Sequence, residues 1–320
     1  MSHLVQQMAY VGETPWHGLG NALSPRQPLE TWAVQAGMNF RILETPVRYL
    51  SESAGNLGAI MTYPEQKVLY RSDTKTALSV VSSRYQVVQP AEILEFYRDL
   101  TEVSGFELET AGVLKEGRKV WALARTGQST LLKGGDAVNA YLLLATACDG
   151  TLATTAQFTS IRVVCNNTLA VALGEQAISV KVPHNTVFDP LAVKAQLGVS
   201  VSSWDAFMYR MKALSERKVK SHEAMNYFLR VFTDPASPVS SGTTNDRAIK
   251  KVQTLFDGHG HGAEMVSAKD TAWGLLNAVT EFVDHQRRAR SQDYRLDSAW
   301  FGQGALIKRK ALDEAIKLAA

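Results

Sequence analysis

The chain has 320 residues, 45% of them hydrophobic, and it can therefore bury one large core or two medium ones. Its 34 basic and 31 acidic residues give a net charge of +3, which excludes attraction to nucleic acid through overall charge alone. Two cysteines are too few for a disulfide scaffold, no apolar run reaches the ~18 residues of a membrane span, and the N-terminus lacks the pattern of a signal peptide. We expect a soluble cytoplasmic protein with no membrane partner.

The first part of the chain, residues 1–187, predicts an α+β domain with an antiparallel β-sheet core and packed helices. A turn-rich start is followed by a short helix that ends at Gly37. The Glu65–Gln66 pair is expected to form a hairpin tip. The other expected elements are strands at 40–50, 58–63, 67–72 and 82–89, a helix from Pro90, four strands between 106 and 166, a helix at 168–177 and an extended segment at 178–185.

The second part, residues 188–320, predicts a mostly helical region. A stretch at 233–245 is rich in Pro, Ser, Thr and Gly and indicates a linker. Residues 204–320 also hold the basic excess, with 18 Lys or Arg against 14 Asp or Glu, which permits a polyanionic partner without requiring one. The predicted helices cover residues 202–218, 221–232, 245–256, 267–290 and 304–319.

The stretch IRVVCNNTL, residues 161–169, places two amides and a thiol where a strand is expected to meet a helix. Asn166 and Asn167 can cap that helix, because short amides accept hydrogen bonds from its first N–H groups. Alternatively, Arg162, Asn166 and Asn167 form a polar surface that contacts phosphates or base edges. The sequence leaves both interpretations open.

The densest basic cluster is HQRRAR, residues 285–290. Arg287, Arg288 and Arg290 precede Tyr294 and Trp300, and cations beside aromatic rings suit a surface on which bases stack. The alternative is an ordinary solvated helix end, with Trp300 packed against the last helix.

Two histidine-containing loops raise the question of a metal or catalytic site. In DGHGHG, Asp257, His259 and His261 would share one face of an extended strand and could ligate a metal, although a glycine-rich loop can also carry histidines without one. In PWHGLG, His17 is either a catalytic histidine or a satisfied turn residue. Known phosphate-loop, nucleophile-elbow and metalloprotease motifs are missing from the sequence, so we expect no catalysis and no cofactor.

Several motifs, in one order, resemble the phage- and plasmid-borne family of unknown function called phage/plasmid-like protein. They are PWHGLG, SSRYQVVQ, FELETAGVLKEGRKVWALAR, DGT, IRVVCNNTL, WGLLNAVTEFVDH and WFGQGALIKRKAL. The resemblance spans nearly the whole chain and implies a mobile-element protein in the cytoplasm of a bacterial host, without an established activity. The order of elements over residues 82–175 is similar to the core of single-strand annealing recombinases, which implies oligomeric rings that hold single-stranded DNA.

Three hypotheses follow. The first is a non-catalytic nucleic-acid-binding protein that binds or anneals single-stranded DNA in recombination or replication of a mobile element. The second is a host-interaction or counter-defence protein that acts through a protein partner. The third is a metal-dependent enzyme built on the loop with Asp257, His259 and His261.

Overall fold

The computed structural model describes residues 8–12, 20–52, 58–102, 104–164, 167–170, 172–173, 176–177, 179–198, 201–233 and 243–320. Mostly antiparallel sheets, with one parallel pair at residues 8–11 and 21–23, and a helical C-terminal region confirm the predicted α+β class. Two candidate residues, His17 and Asn166, lie outside the described residues.

The strands are numbered in chain order. They are β1 (Met8–Val11), β2 (Asn21–Leu23), β3 (Ile42–Leu50), β4 (Ile60–Arg71), β5 (Ala77–Ser82), β6 (Glu107–Leu114), β7 (Lys119–Leu132), β8 (Asp136–Ala147), β9 (Thr154–Arg162), β10 (Asn167–Ala170), β11 (Ala172–Leu173), β12 (Gln176–Ala177) and β13 (Ser179–Val182). The four strands expected between residues 106 and 166 are confirmed as β6 to β9.

The helices are also numbered in chain order. They are α1 (Leu29–Gln35), α2 (Pro90–Glu95), α3 (Arg98–Glu102), α4 (Pro190–Gly198), α5 (Val201–Glu216), α6 (Ser221–Phe232), α7 (Thr243–Thr254), α8 (Ala272–Glu281), α9 (Gln292–Phe301) and α10 (Gln303–Ala319). Two π-helical segments follow α7 and α8, at Leu255–His259 and Phe282–Gln286. In the part of the chain that the structure describes, no helix has the length and apolar character needed to cross a membrane.

Eight strands form one sheet in the order β10-β9-β8-β7-β6-β1-β2, with β13 paired to β9. A second sheet has the order β3-β4-β5, and β11 pairs with β12. Strand β4 runs without interruption from Ile60 to Arg71, so the hairpin tip predicted at Glu65 and Gln66 is wrong. The register with β3 shifts between Pro46, which pairs with Lys67, and Val47, which pairs with Tyr63, so residues 64–66 of β4 form a bulge.

Residues 83–89 are not a strand, contrary to the prediction for SSRYQVVQ. Their polar side chains form hydrogen bonds outside any β-ladder. The Tyr85 hydroxyl, for example, donates to the carbonyl of Ala147 at 2.7 Å. The Gln89 side chain bonds both the N–H and the C=O of Ile42. An extended local sequence is therefore held by side-chain hydrogen bonds.

The helix predicted at residues 168–177 is also wrong. Thr168 and Leu169 pair in antiparallel register with Ile161 and Ser160 of β9, and three short strands occupy the described residues of the segment. The hydroxyls of Thr159 and Ser160 both donate to the carbonyl of Leu169, at 3.0 and 3.1 Å. Pairing with β9 thus overrides the local alanine-rich composition.

The chain divides into two compact units. Unit 1 comprises Met1–Thr126, Leu142–Ala156 and Ser179–Gln196, and unit 2 comprises Gly127–Tyr141, Gln157–Ile178 and Leu197–Ala320. In unit 1, the buried Tyr97 hydroxyl donates to main-chain carbonyls of two central strands. The core of unit 2 consists of buried side chains from its helices, among them Phe207, Met211, Phe228, Trp273, Leu275 and Leu312. The boundary that the sequence predicts at residue 187 stays a prediction.

Candidate functional site

The buried polar side chains of unit 2 cluster around its two π-helical segments. Each segment is a single π turn that ends a helix: the N–H of Gly260 donates to the carbonyl of Leu255, and the N–H of Arg287 donates to that of Phe282. The first segment passes through Gly258, whose φ of 111° ends the helix and turns the chain into the 260–262 loop. The second follows Glu281 directly.

His261 and Glu281 form an imidazole–carboxylate pair. The Nδ1 atom of His261 lies 2.9 Å from Oε1 of Glu281, and the main-chain N–H of His261 donates to Oε2 at 2.9 Å. The Glu281 side chain is 3% exposed, whereas the His261 side chain is 74% exposed. A buried carboxylate therefore holds an imidazole that faces solvent.

A buried ion pair fixes the loop that carries His261. The Arg162 guanidinium contacts the Asp136 carboxylate through Nε at 2.9 Å and Nη2 at 2.8 Å. It also donates from Nη2 to the carbonyl of Gly262 at 3.0 Å and from Nη1 to that of His261 at 3.4 Å. Arg162 is thus used inside the protein, as a clamp between β8, β9 and the loop.

The Asp136 carboxylate is also fully engaged. Beyond Arg162, it accepts a hydrogen bond from the Ser267 hydroxyl at 2.6 Å and from Nε1 of Trp273 at 3.0 Å. A buried charge pair is tolerated when the remaining lone pairs are satisfied in this way, and losing one partner is then costly.

A second buried charge pair ties β10 to the helices. The Lys308 ammonium lies 2.7 Å from Oδ1 of Asp284 and donates to the carbonyl and hydroxyl oxygens of Thr168. The other oxygen of Asp284 accepts from the N–H and hydroxyl of Thr168, at 2.8 and 3.1 Å. Burial lowers the pKa of Lys308, and the negative charge of Asp284 opposes that shift.

Asn167 faces the interior. Its amide Nδ2 donates to the carbonyl of Asn277 at 3.3 Å, and its Oδ1 lies 3.1 Å from Nε2 of His285. The amide therefore links β10 to α8 and the second π-helix. The predicted capping role of Asn167 is wrong, because β10, and not a helix, begins there.

A shallow pocket opens beside the imidazole–carboxylate pair. Its lining includes the side chains of Arg162, Phe256, His261, Asn277 and Glu281, together with small residues of the loop and of α8. The pocket has room for about one water molecule, so the exposed His261 ring is the feature of this cluster that a larger ligand can contact.

The basic segment predicted to bind nucleic acid lies just beyond the second π-helix. Arg288 and Arg290 are exposed, and the Arg290 guanidinium lies 5.9 Å from the centre of the Tyr294 ring, which is 45% exposed. Arg287 is half-buried, and its Nη1 donates to the Ser298 hydroxyl at 3.0 Å.

Trp300, the other aromatic residue of the predicted surface, is half-buried. Its ring meets that of Phe301 edge to face, with the centroids 6.1 Å apart. Arg288, Arg290 and Tyr294 are therefore the candidates that face solvent most fully.

The three candidate metal ligands do not converge on one point. The Oδ1 atom of Asp257 accepts from Nε2 of Gln253, His259 Nδ1 lies 3.2 Å from the carbonyl of Thr254, and His261 pairs with Glu281. Among the residues whose positions the structure describes, no group of three or more His, Cys, Asp or Glu could hold a metal ion.

The sequence identified Arg162, Asn167 and His261 as candidate residues but did not reveal the partners of their side chains. A signal for Glu281 and Asp284 was present, because both are charged residues within the apolar run WGLLNAVTEFVDH. A carboxylate on a helix that is buried throughout requires a partner, and its presence there predicts a polar network.

The fold and this cluster define an α+β protein whose helical unit is organised around buried ion pairs and an exposed imidazole. A family model described as a domain of unknown function (DUF932) matches residues 77–300, more than half of the chain, and the chain belongs to that family. Comparison with the curated proteins finds no match, and comparison with the solved structures finds none.

Proposed function

We propose that the protein binds single-stranded nucleic acid through the basic segment of unit 2. The observation that carries this proposal is the exposed set Arg288, Arg290 and Tyr294, with a guanidinium 5.9 Å from an exposed aromatic ring. Guanidinium groups pair with phosphates, and a tyrosine ring offers a face on which any base can stack. A role in recombination or replication of a phage or plasmid, in the bacterial cytoplasm, is part of this proposal.

The test is fluorescence anisotropy of a labelled 30-nucleotide strand at 50 and 300 mM salt. We expect salt-sensitive binding, and we expect Arg288→Ala with Arg290→Ala to reduce the slope of log K against log salt by about 1.4, because each phosphate contact on a single strand contributes about 0.7. The matched control is Lys250→Ala with Lys251→Ala, which removes two exposed charges from α7.

Equal losses in the two double variants would show that only general charge matters and would refute the assignment of this surface. Absence of binding by the wild-type protein at micromolar concentration would refute the proposed function itself. Annealing of an added complementary strand would extend the proposal to strand pairing.

A protein partner is the second candidate function, and a specific feature of unit 1 favours it. The ends of β3 and β4 extend past their pairing with β5 and expose apolar side chains on both faces of the hairpin: Ile60, 70% exposed, beside Leu50 on one face, and Tyr49 opposite Met61 on the other. Exposed apolar patches of this kind mark protein contact sites. Capture of a host or mobile-element protein that resists high salt and is lost on Ile60→Asp would support this function over nucleic-acid binding.

A further inference from the structure

The His261–Glu281 pair has the arrangement of a general base with its orienting group. A carboxylate can only accept, so Nδ1 of His261 carries the proton of their 2.9 Å hydrogen bond. In the neutral imidazole the lone pair is then on Nε2, at the solvent-facing edge of a side chain that is 74% exposed. A histidine oriented through one nitrogen and open at the other is the geometry that acid–base catalysis requires.

The backbone around the exposed His261 side chain is strongly constrained. A Cβ at Gly260 would lie 2.8 Å from the carbonyl of Leu255 and 3.0 Å from Oε2 of Glu281. Gly262 has a φ of +68°, and a Cβ there would meet Nη2 of Arg162 at 3.0 Å. A larger residue at position 260 would therefore displace Leu255 or Glu281, and position 262 lies in the left-handed region that favours glycine. The Arg162 guanidinium also donates to the carbonyls of His261 and Gly262, so the main chain of the loop is held on both sides of the His261 side chain.

The pair is connected to the start of the basic segment through Gln286. Gln286, at the end of the second π-helix, approaches Oε1 of Glu281 with its Nε2 at 3.5 Å. Arg287 follows it in the chain, and the exposed Arg288 comes next. Catalysis at His261 requires that a strand bound at the basic segment also reaches this imidazole.

Resting on the proposed function, we propose that His261 is a catalytic residue and Glu281 its positioning residue, and that the substrate is RNA. The described residues that line the pocket bring no hydroxyl, thiol or amine side chain that could act as a nucleophile. RNA supplies its own nucleophile, the 2′-hydroxyl, next to every phosphodiester.

In this reaction, Nε2 of His261 takes the proton from the 2′-hydroxyl, and the 2′-oxygen attacks the adjacent phosphorus. The bond from phosphorus to the 5′-oxygen breaks, and that oxygen takes a proton from solvent. The imidazolium then returns its proton to solvent. The products are a 2′,3′-cyclic phosphate and a 5′-hydroxyl, with no oxidant, reductant or co-reactant consumed.

The test incubates the full-length protein with a labelled 30-nucleotide RNA and with the DNA strand of the same sequence, and follows binding by anisotropy and cleavage by gel. We expect both strands to be bound and only the RNA to be cut, with 2′,3′-cyclic phosphate ends. His261→Ala should slow cleavage by at least about 100-fold with binding retained, since a positioned base contributes about 10²–10⁴-fold. Added imidazole should restore part of that rate, which a purely structural role would not allow.

His259→Ala is the matched control, because His259 is an exposed histidine of the same loop whose Nδ1 faces the carbonyl of Thr254. Its cleavage rate should equal that of the wild type. Glu281→Gln should lose cleavage while binding RNA with unchanged affinity. RNA that is bound but left intact, cleavage that survives His261→Ala, or equal cleavage of DNA would each overturn this inference and leave the proposed binding function standing. Absence of binding to either strand would instead refute the binding function.

Discussion

Replacing Arg162 by Met should destabilise unit 2 by about 3–5 kcal/mol, because it leaves the Asp136 carboxylate buried without its counter-ion. In the folded protein Arg162 contacts both oxygens of that carboxylate and two carbonyl groups of the 260–262 loop, so one substitution removes every one of these bonds. With an m-value of about 2 kcal/mol per molar urea, the unfolding midpoint should fall by about 1.5–2.5 M.

The measurement is urea unfolding followed by far-ultraviolet circular dichroism. The control is Lys269→Met, which breaks the exposed pair between Lys269 and Glu264 and should cost at most about 1 kcal/mol. Adding Asp136→Asn to Arg162→Met should recover part of the loss, because the unpaired charge is then removed. A midpoint for Arg162→Met that matches the Lys269→Met control would refute the view that this ion pair holds the loop.

Three further predictions concern other titratable groups. Burial raises the pKa of Cys148 to about 12, so alkylation of that thiol at pH 8, followed by mass spectrometry of its peptide, should be slow until urea unfolds the chain. Arg71 holds the pKa of Asp73 at about 2, so the stabilisation by this partly exposed carboxylate is present above pH 4 and is lost as the pH falls from about 4 towards 2. Asp73→Asn should accordingly lower the free energy of unfolding at pH 6 by less than about 1 kcal/mol, seen as a lower urea midpoint. At pH 3 the same substitution should have a smaller effect. Lys308→Met should cost about 3 kcal/mol by leaving Asp284 unpaired, and Lys308→Met with Asp284→Asn should cost less, again measured by urea unfolding.

The strands β6 to β9 could be predicted from the sequence because their apolar residues are separated by recognisable turns. The turn-forming residues Lys133–Gly135 lie between β7 and β8, and the β6–β7 turn contains Lys115 and Glu116, which have positive φ. The residues within a turn largely determine its conformation, so such turns can be predicted from a short stretch of sequence.

The helix predicted at residues 168–177 fails for the opposite reason. Whether Thr168 and Leu169 form a helix or a strand depends on β9, on Asp284 and on Lys308, and the last two lie 116 and 140 residues away in the chain. Alanine-rich composition favours a helix by only a few tenths of a kcal/mol per residue, and the free energy of pairing with a neighbouring strand is larger.

The same reasoning separates the parts of the candidate site that sequence could reveal from those it could not. Histidine in a glycine-rich loop drew attention to His261, but its orienting partner Glu281 is 20 residues away on a buried helix. The sequence predicted a solvent-facing Arg162 because its partner, Asp136, lies at the start of another strand, 26 residues earlier. Isolated charges on buried elements predict that partners exist without identifying them.

These partners also indicate what the buried network is for. A core built only for stability gains more from apolar side chains than from ion pairs, because the desolvation of two charges offsets most of their attraction. Unit 2 nevertheless buries the pairs Asp136–Arg162 and Asp284–Lys308, together with Glu281. The first pair holds the carbonyl groups of the His261 loop, and Glu281 holds its N–H and its imidazole. Removing Glu281 should therefore change the chemistry at His261 more than it changes the folding of unit 2, and a Glu281→Gln protein that folds, binds and still cleaves would contradict this ordering.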